Sequence, residues 1–326
     1  MSATGDADSA ADSAAESAAD SLNWANLRAT ALESIQSVSV PSNVEVPALP
    51  EAVTEFSQRA ADPNVRIREL AVIVEKSAGL TVELLKFVNT ARLRTAMPIG
   101  DVATAIARVG ISGTSTYLVA MGIKAANSAR TSKLIHHGRA WSESLQKALF
   151  AQAAARTLNL NAGLAFMGGL LQDFMLPALT NRFDSEYVQF LENDAKDGRD
   201  LAEWEQETFG WNHASTGAFV ASQWGLPDEL LCAIYYHHSL HESLSRPEIE
   251  MFKLFPVTLS GLLPDQLRQC GRGITQLIAV DGKCAAIDLD ELCRIVDEEQ
   301  RSIADGFNIP DQLSSIVREV REVTVA

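Results

Sequence analysis

The chain is cut by prolines and glycines into short segments whose apolar residues recur every three or four positions, a period that suits helices and excludes strands. Val53 and Phe56 share one face before the Asp62-Pro63 stop. Ile67, Leu70, Ala71 and Val74 mark the next segment, which ends at Gly79, and Leu80, Leu84, Leu85 and Val88 mark another, ending near Asn89. Pro98 breaks the chain, Asp101 is placed to cap a helix, and Val102, Ile106 and Val109 form an apolar face before Gly110. Leu118, Met121 and Ile123 belong to a fifth helix. A second block begins near His137, with an Ala-rich helix over 141–158 and another over 164–171. Further helices follow at 187–191, 202–208, 214–224 and 228–237, the last two separated by Gly225-Leu226-Pro227. Asp290 is expected to cap a helix over 292–303. The pattern predicts an all-α fold: a multi-helix bundle with an N-terminal helical subdomain ahead of a second bundle.

The ends differ from this middle. Residues 7–21 repeat a four-residue Ala/Asp/Ser unit that would stack Asp8, Asp12, Glu16 and Asp20 at i, i+4, with nothing larger than Ala to bury. The expected organisation is therefore a disordered acidic tail over 1–21, a short helix and linker over 22–45, the N-terminal subdomain over 46–135, the second bundle over 136–243 and a helical extension over 244–326.

Charge excludes several function classes. The 42 acidic residues exceed the 27 basic ones, giving a net charge of -15. Such a surface repels phosphate backbones and anionic lipid, so neither nucleic acid nor membrane is expected as a partner. No apolar run is read as reaching the roughly 20 residues of a membrane-spanning helix, and the first residues lack the basic and apolar regions of a secretory signal. Cys232, Cys270, Cys284 and Cys293 lie far apart without a C-x-x-C pair, which points to free thiols in a reducing, cytoplasmic setting.

Nucleotide and hydrolase motifs fail one by one. Gly271-Arg272-Gly273 is followed by Gln276 where a dinucleotide loop needs glycine, Gly282-Lys283-Cys284 lacks the rest of a phosphate loop, and no G-x-S-x-G elbow is present. Among six histidines, His213 opens one helix and His237-His238 close the next. Helices joined by a Gly-Leu-Pro turn can bring such ends to one pocket as metal ligands; imidazoles at a helix C-terminus also serve its carbonyls without any ligand.

Several segments, in order, resemble the HDOD family: Leu49-Pro50, residues 84–91 (LLKFVNTA), Pro98-Ile99, residues 105–110 (AIARVG), residues 169–173 (GLLQD), residues 212–217 (NHASTG), residues 224–227 (WGLP) and Tyr236-His237-His238. The resemblance spans about 46–241 and implies a helical subdomain beside an HD-like helical bundle related to metal-dependent phosphohydrolases. It also implies bacterial signal transduction. In active HD-type relatives, histidines and aspartates hold one or two metal ions that activate water against a phosphoester. Here Glu143 stands where those relatives carry an early histidine, and Gln172-Asp173 where they carry the His-Asp pair. Their following lysine is absent, and their final aspartate has no counterpart around Leu259-Ser260-Gly261. His213, His237 and His238 match later ligands.

A vestigial pocket of Glu143, Gln172, Asp173, His213, His237 and His238 is therefore expected, with no catalytic residue and no resident metal or cofactor. A weak single ion at Asp173, His213, His237 and His238 is the alternative. From Lys124 to Arg156 six basic residues meet one acid, Glu143, which makes Arg130, Lys133 and Arg139 a candidate interaction patch. The expected function is a non-catalytic regulatory module acting on signalling protein partners. The alternatives are a degenerate phosphohydrolase with residual activity and a small-ligand sensor using the former active-site cavity.

Overall fold

A computed structural model describes residues 24–89, 97–128, 133–239, 253–303 and 310–325. Among them there is no strand; helices follow one another through short turns. The expected all-α fold is what forms. The acidic repeat, Arg130 and His241 lie outside the described residues.

The first half is built from α2 (Glu51–Ala60), α3 (Ile67–Glu75), α4 (Ala78–Val88), α5 (Val102–Val109) and α6 (Ile111–Ser128). Val53, Phe56, Leu70, Leu84, Val88, Ile106 and Leu118 are its buried centre. Local chemistry fixes the ends: Ser77 accepts from Leu80 N to start α4, and Asp101 accepts from Thr104 N at 2.8 Å to start α5. The Asn89 amide then ties two stretches together, donating to Ile99 O and accepting from Ile99 N at 2.8 Å each. That double bond explains why an asparagine follows the apolar run of α4.

The second half is organised by α7 (His137–Thr157) and α8 (Ala162–Leu171), which pack along their lengths. Small residues allow the close approach, with Ala148, Ala151 and Ala155 fully buried on α7. On α8, a Cβ at Gly169 would lie 2.8 Å from Lys147 O and 2.9 Å from Ala148 Cα, so only glycine fits. After α8 come α9 (Leu176–Arg182), α10 (Asp184–Glu192), α11 (Leu201–Phe209), α12 (His213–Gln223), α13 (Asp228–Tyr235) and α14 (Phe255–Gly261), the last lying across α7 and α8. Gly225, at φ +68°, turns the chain between α12 and α13.

The most apolar stretch, 162–182, does reach membrane-spanning length and composition, contrary to expectation. It holds a window of mean hydropathy 1.3 that is 78% buried inside the protein, so its apolar surface belongs to the core.

Both ends of the described chain pack on this second half. Helix α1 (Trp24–Gln36) buries Ala31 and Ile35 against α12 and α13, with an Arg28–Asp228 ion pair alongside. At the other end α15 (Gly273–Asp281), α16 (Leu289–Ile303) and α17 (Leu313–Val325) follow, and Gln300 of α16 donates to Ser142 O of α7. Asp297 accepts from Leu313 N and Ser314 N and so starts α17. The expected cap at Asp290 is corrected: α16 begins at Leu289 and Asp288 accepts from Glu291 N, because the cap must precede the first turn.

Candidate functional site: one carboxylate between two cationic settings

Asp173 lies just past the C-terminus of α8, where Gln172 ends the helix. Around it converge the first residue of α12, the two residues beyond Tyr236 at the end of α13, one turn of α7 and the loop after α14. Each is held by local chemistry. A capping box between Asn212 and Ser215 starts α12 and sets His213 at its first position. A Cβ at Gly261 would meet His237 O at 2.9 Å, so the glycine lets α14 close over His237.

On one side of Asp173 stand three imidazoles. His213 Nε2 lies 2.9 Å from His238 Nε2 and 3.3 Å from His237 Nε2. The outer nitrogens are occupied: His213 Nδ1 donates to Glu205 Oε2 at 2.6 Å, and His237 Nδ1 donates to Ile234 O at 2.7 Å. Glu205 is itself fully buried and accepts from Tyr187 Oη at 2.6 Å and from His213 N at 2.7 Å. Anchoring Nδ1 in this way turns the Nε2 lone pair inward, which is how metal-ligating histidines are held.

Asp173 Oδ1 faces the same point, 3.5 Å from His237 Nε2 and 3.6 Å from His213 Nε2, and accepts no hydrogen bond from any described residue. A buried acceptor without a donor is costly.

Titration reflects the crowding. Burial lowers His237, which lies below the ordinary histidine value. His238 lies well below it, through burial and then the neighbouring imidazoles. Burial also opposes charge on His213, but the Glu205 carboxylate outweighs it and raises that ring.

Three imidazole nitrogens and one carboxylate oxygen suit a single zinc, iron or manganese ion. With metal–nitrogen bonds of about 2.0–2.1 Å, tetrahedral donors stand about 3.3 Å apart, close to the 2.9 and 3.3 Å from His213 Nε2 to the other two imidazoles. His213, His237 and His238 form a group that could hold one metal, with Asp173 Oδ1 beside His237 and His213.

On the other side of Asp173 the cation is covalent. Lys147, 2% exposed, donates to Asp173 Oδ2 at 2.7 Å and to Asp265 Oδ2 at 2.8 Å. Burial works against its charge, yet the two carboxylates more than offset that and raise its pKa. The ammonium holds Asp173 well below the usual carboxylate range, against the opposing effect of burial. Two oxygens that would face a second metal are thus taken by a fixed amine, and the residues do not fit a second ion.

Gln172 takes part as a hydrogen-bonding group: its Oε1 accepts from Ser260 Oγ at 3.0 Å. Glu143 stands apart from the histidines; its oxygens accept from Arg139 Nε at 2.8 Å and from Gln266, and burial raises its pKa. Of the six pocket residues expected from the sequence, Asp173 and the three histidines therefore share one point, with Gln172 beside them.

Lys147, Asp265, Glu205 and Tyr187 were missed. A buried lysine looks no different in sequence from a solvated one, so Lys147 reads as one of the six basic residues of 124–156. The signal was its spacing, one helical turn after Glu143 on an otherwise Ala-rich face.

The basic stretch also reads differently in space. Lys133 pairs with Asp184, Arg139 with Glu143, and Lys124 lies 3.8 Å from Glu83. Asp184 and Glu83 come from other elements, which a count along 124–156 cannot include, while Glu143 is the one acid within it. Lys133 and Arg139 remain exposed at 80% and 50%.

Comparison with known proteins places the fold. An HDOD domain protein of unknown function from Geobacter sulfurreducens superposes at a TM-score of 0.50, with 18% identity, covering 91% of this chain and 94% of that one. A candidate metal-dependent phosphohydrolase from Shewanella amazonensis gives a TM-score of 0.56 and 13% identity, over 85% of this chain and 98% of that one. A candidate signal transduction protein from Marinobacter aquaeolei gives 0.53 and 19%, over 92% of this chain and 67% of that one. An uncharacterised protein of Treponema pallidum is 25% identical over 200 residues, 60% of this chain but only 38% of that relative's length. The HDOD domain model matches residues 46–240, well over half of the sequence, and the chain belongs to the HDOD domain family.

Proposed function

We propose that this chain is a regulatory HDOD module that acts through contacts with signalling proteins and does not hydrolyse phosphoesters. The observation that carries this reading is Lys147. Its ammonium lies between Asp173 and Asp265, so the site holds a permanent positive charge where a hydrolytic pair of metals would need exchangeable ligands and bound water. Exposed Lys133 and Arg139, on an acidic protein, are the surface proposed to meet an acidic partner segment.

A second reading, a single-metal phosphohydrolase with residual activity, is favoured by the three inward Nε2 atoms and the donor-less Asp173 Oδ1. A metal held there would lower the pKa of bound water and polarise a phosphoryl oxygen. The protein's own contribution would be to orient the imidazoles through Glu205 and Ile234 O.

Turnover decides between the two. The purified chain, supplied with manganese or ferrous iron, is expected to leave cyclic dinucleotides intact. Turnover that disappears in Asp173→Ala would overturn the regulatory reading in favour of the second. For the partner surface, a folded Lys133→Glu/Arg139→Glu double variant is expected to lose partners captured by the unaltered chain, and equal capture would remove that surface from the proposal.

A further inference from the structure

A cleft opens between α6 and α7 on the lysine side of Asp173. Asn127 of α6 and Trp141 of α7 line it, along with Asp265 and Gln269 from the loop after α14. Two amide oxygens there have no donor: Asn127 Oδ1 and Gln269 Oε1 are buried and accept no hydrogen bond from any described residue. Gln269 is 2% exposed, and its orientation is fixed because Nε2 donates to Asp265 Oδ2 at 2.7 Å. Folded proteins pair nearly all such atoms, so two unpaired acceptors on one cleft mark the place of a molecule that brings donors. Neither atom touches the histidine cluster.

Charge narrows the class. The lining carboxylates Glu143, Asp173 and Asp265 outnumber the ammonium groups of Lys124 and Lys147, and Lys147 is committed to two of them. Anionic ligands would meet acceptors and carboxylates together. The Trp141 indole, with the Lys124 ammonium over one face at 4.6 Å from its centroid, adds an aromatic wall against which a planar group can pack.

We propose that this cleft binds a small planar ligand with N–H donors, neutral or singly cationic, of the amidine or amino-heterocycle class. It bonds to Asn127 Oδ1 and Gln269 Oε1, and by touching α6 and α7 at once it links the two helical halves. The cleft shares Asp173 with the candidate metal ligands, and the proposal does not depend on whether the protein turns over phosphoesters.

Isothermal titration of the full chain with benzamidine, adenine and inorganic phosphate tests it. Saturable binding of benzamidine or adenine is expected, weakened about tenfold or more by Asn127→Leu and by Gln269→Leu, as for loss of a buried hydrogen bond. Asn127 is only partly buried near the end of α6, so its variant remains informative where Gln269→Leu does not fold. No binding of either organic probe, undiminished binding in Asn127→Leu, or a preference for phosphate would each overturn the proposal.

Discussion

The two oxygens of Asp173 face opposite versions of the same requirement. Oδ1 looks toward three imidazoles, two of them anchored at Nδ1, and accepts no hydrogen bond from any described residue. Oδ2 looks toward Lys147 and is fully engaged. Both sides concentrate negative or lone-pair charge in a buried space, which is unstable without a cation. One side could take a cation from solution; the other carries it on the chain.

The lysine side offers the largest effect with which to break this comparison. Lys147→Ala leaves Asp173 and Asp265 buried together, and is expected to destabilise the fold by roughly 3–5 kcal/mol in urea unfolding. Manganese should restore more stability to that variant than to the unaltered protein, because a divalent ion can again sit between the carboxylates. A loss below about 1 kcal/mol, the worth of an exposed pair, would mean the ammonium is not what holds this side together.

Acid sharpens the same contrast. The folded pKa of Asp173 is depressed, while an unfolded aspartate titrates near about 3.9. Its stabilisation is therefore present above that value and is lost as pH falls through the folded pKa. Thermal unfolding followed below about pH 4 should show this limb in the unaltered chain, and Asp173→Asn should remove it.

On the histidine side the expected effects are smaller in stability and larger in metal affinity. Glu205→Gln keeps the shape next to His213 but weakens the charged hydrogen bond that orients it, and should lower zinc affinity about 10–100-fold by titration. Unchanged affinity would mean that His213 is held by packing alone. The smallest effect belongs to the surface: Lys133→Glu is expected to shift stability by no more than about 1 kcal/mol, because its pair with Asp184 is exposed.

The helices and most of their ends were legible because caps, prolines and 3.6-residue spacing are local signals. Asn89, Asp101 and Gly225 act where the sequence placed a stop or a start. The histidines were legible because they bracket a Gly-Leu-Pro turn and match a known family pattern. The lysine side was not, since pairing Lys147 with Asp265 spans 118 residues and depends on how α14 and its following loop fall across α7. Glu205 was hidden for the same reason: its role exists only because α11 lies against the start of α12. Sequence distance conceals partners, and burial changes what a charged residue does.

Metal stoichiometry tests the central claim most directly. The full chain, equilibrated with excess zinc or manganese and freed of unbound ion, is measured by elemental analysis beside His213→Ala and Lys147→Ala. At most one ion per chain is expected in the unaltered protein, lost in His213→Ala; Lys147→Ala, if it folds, keeps that ion and can take a second between Asp173 and Asp265. Two ions per unaltered chain, or one that survives His213→Ala, would contradict a site with one open cation position and one filled by Lys147.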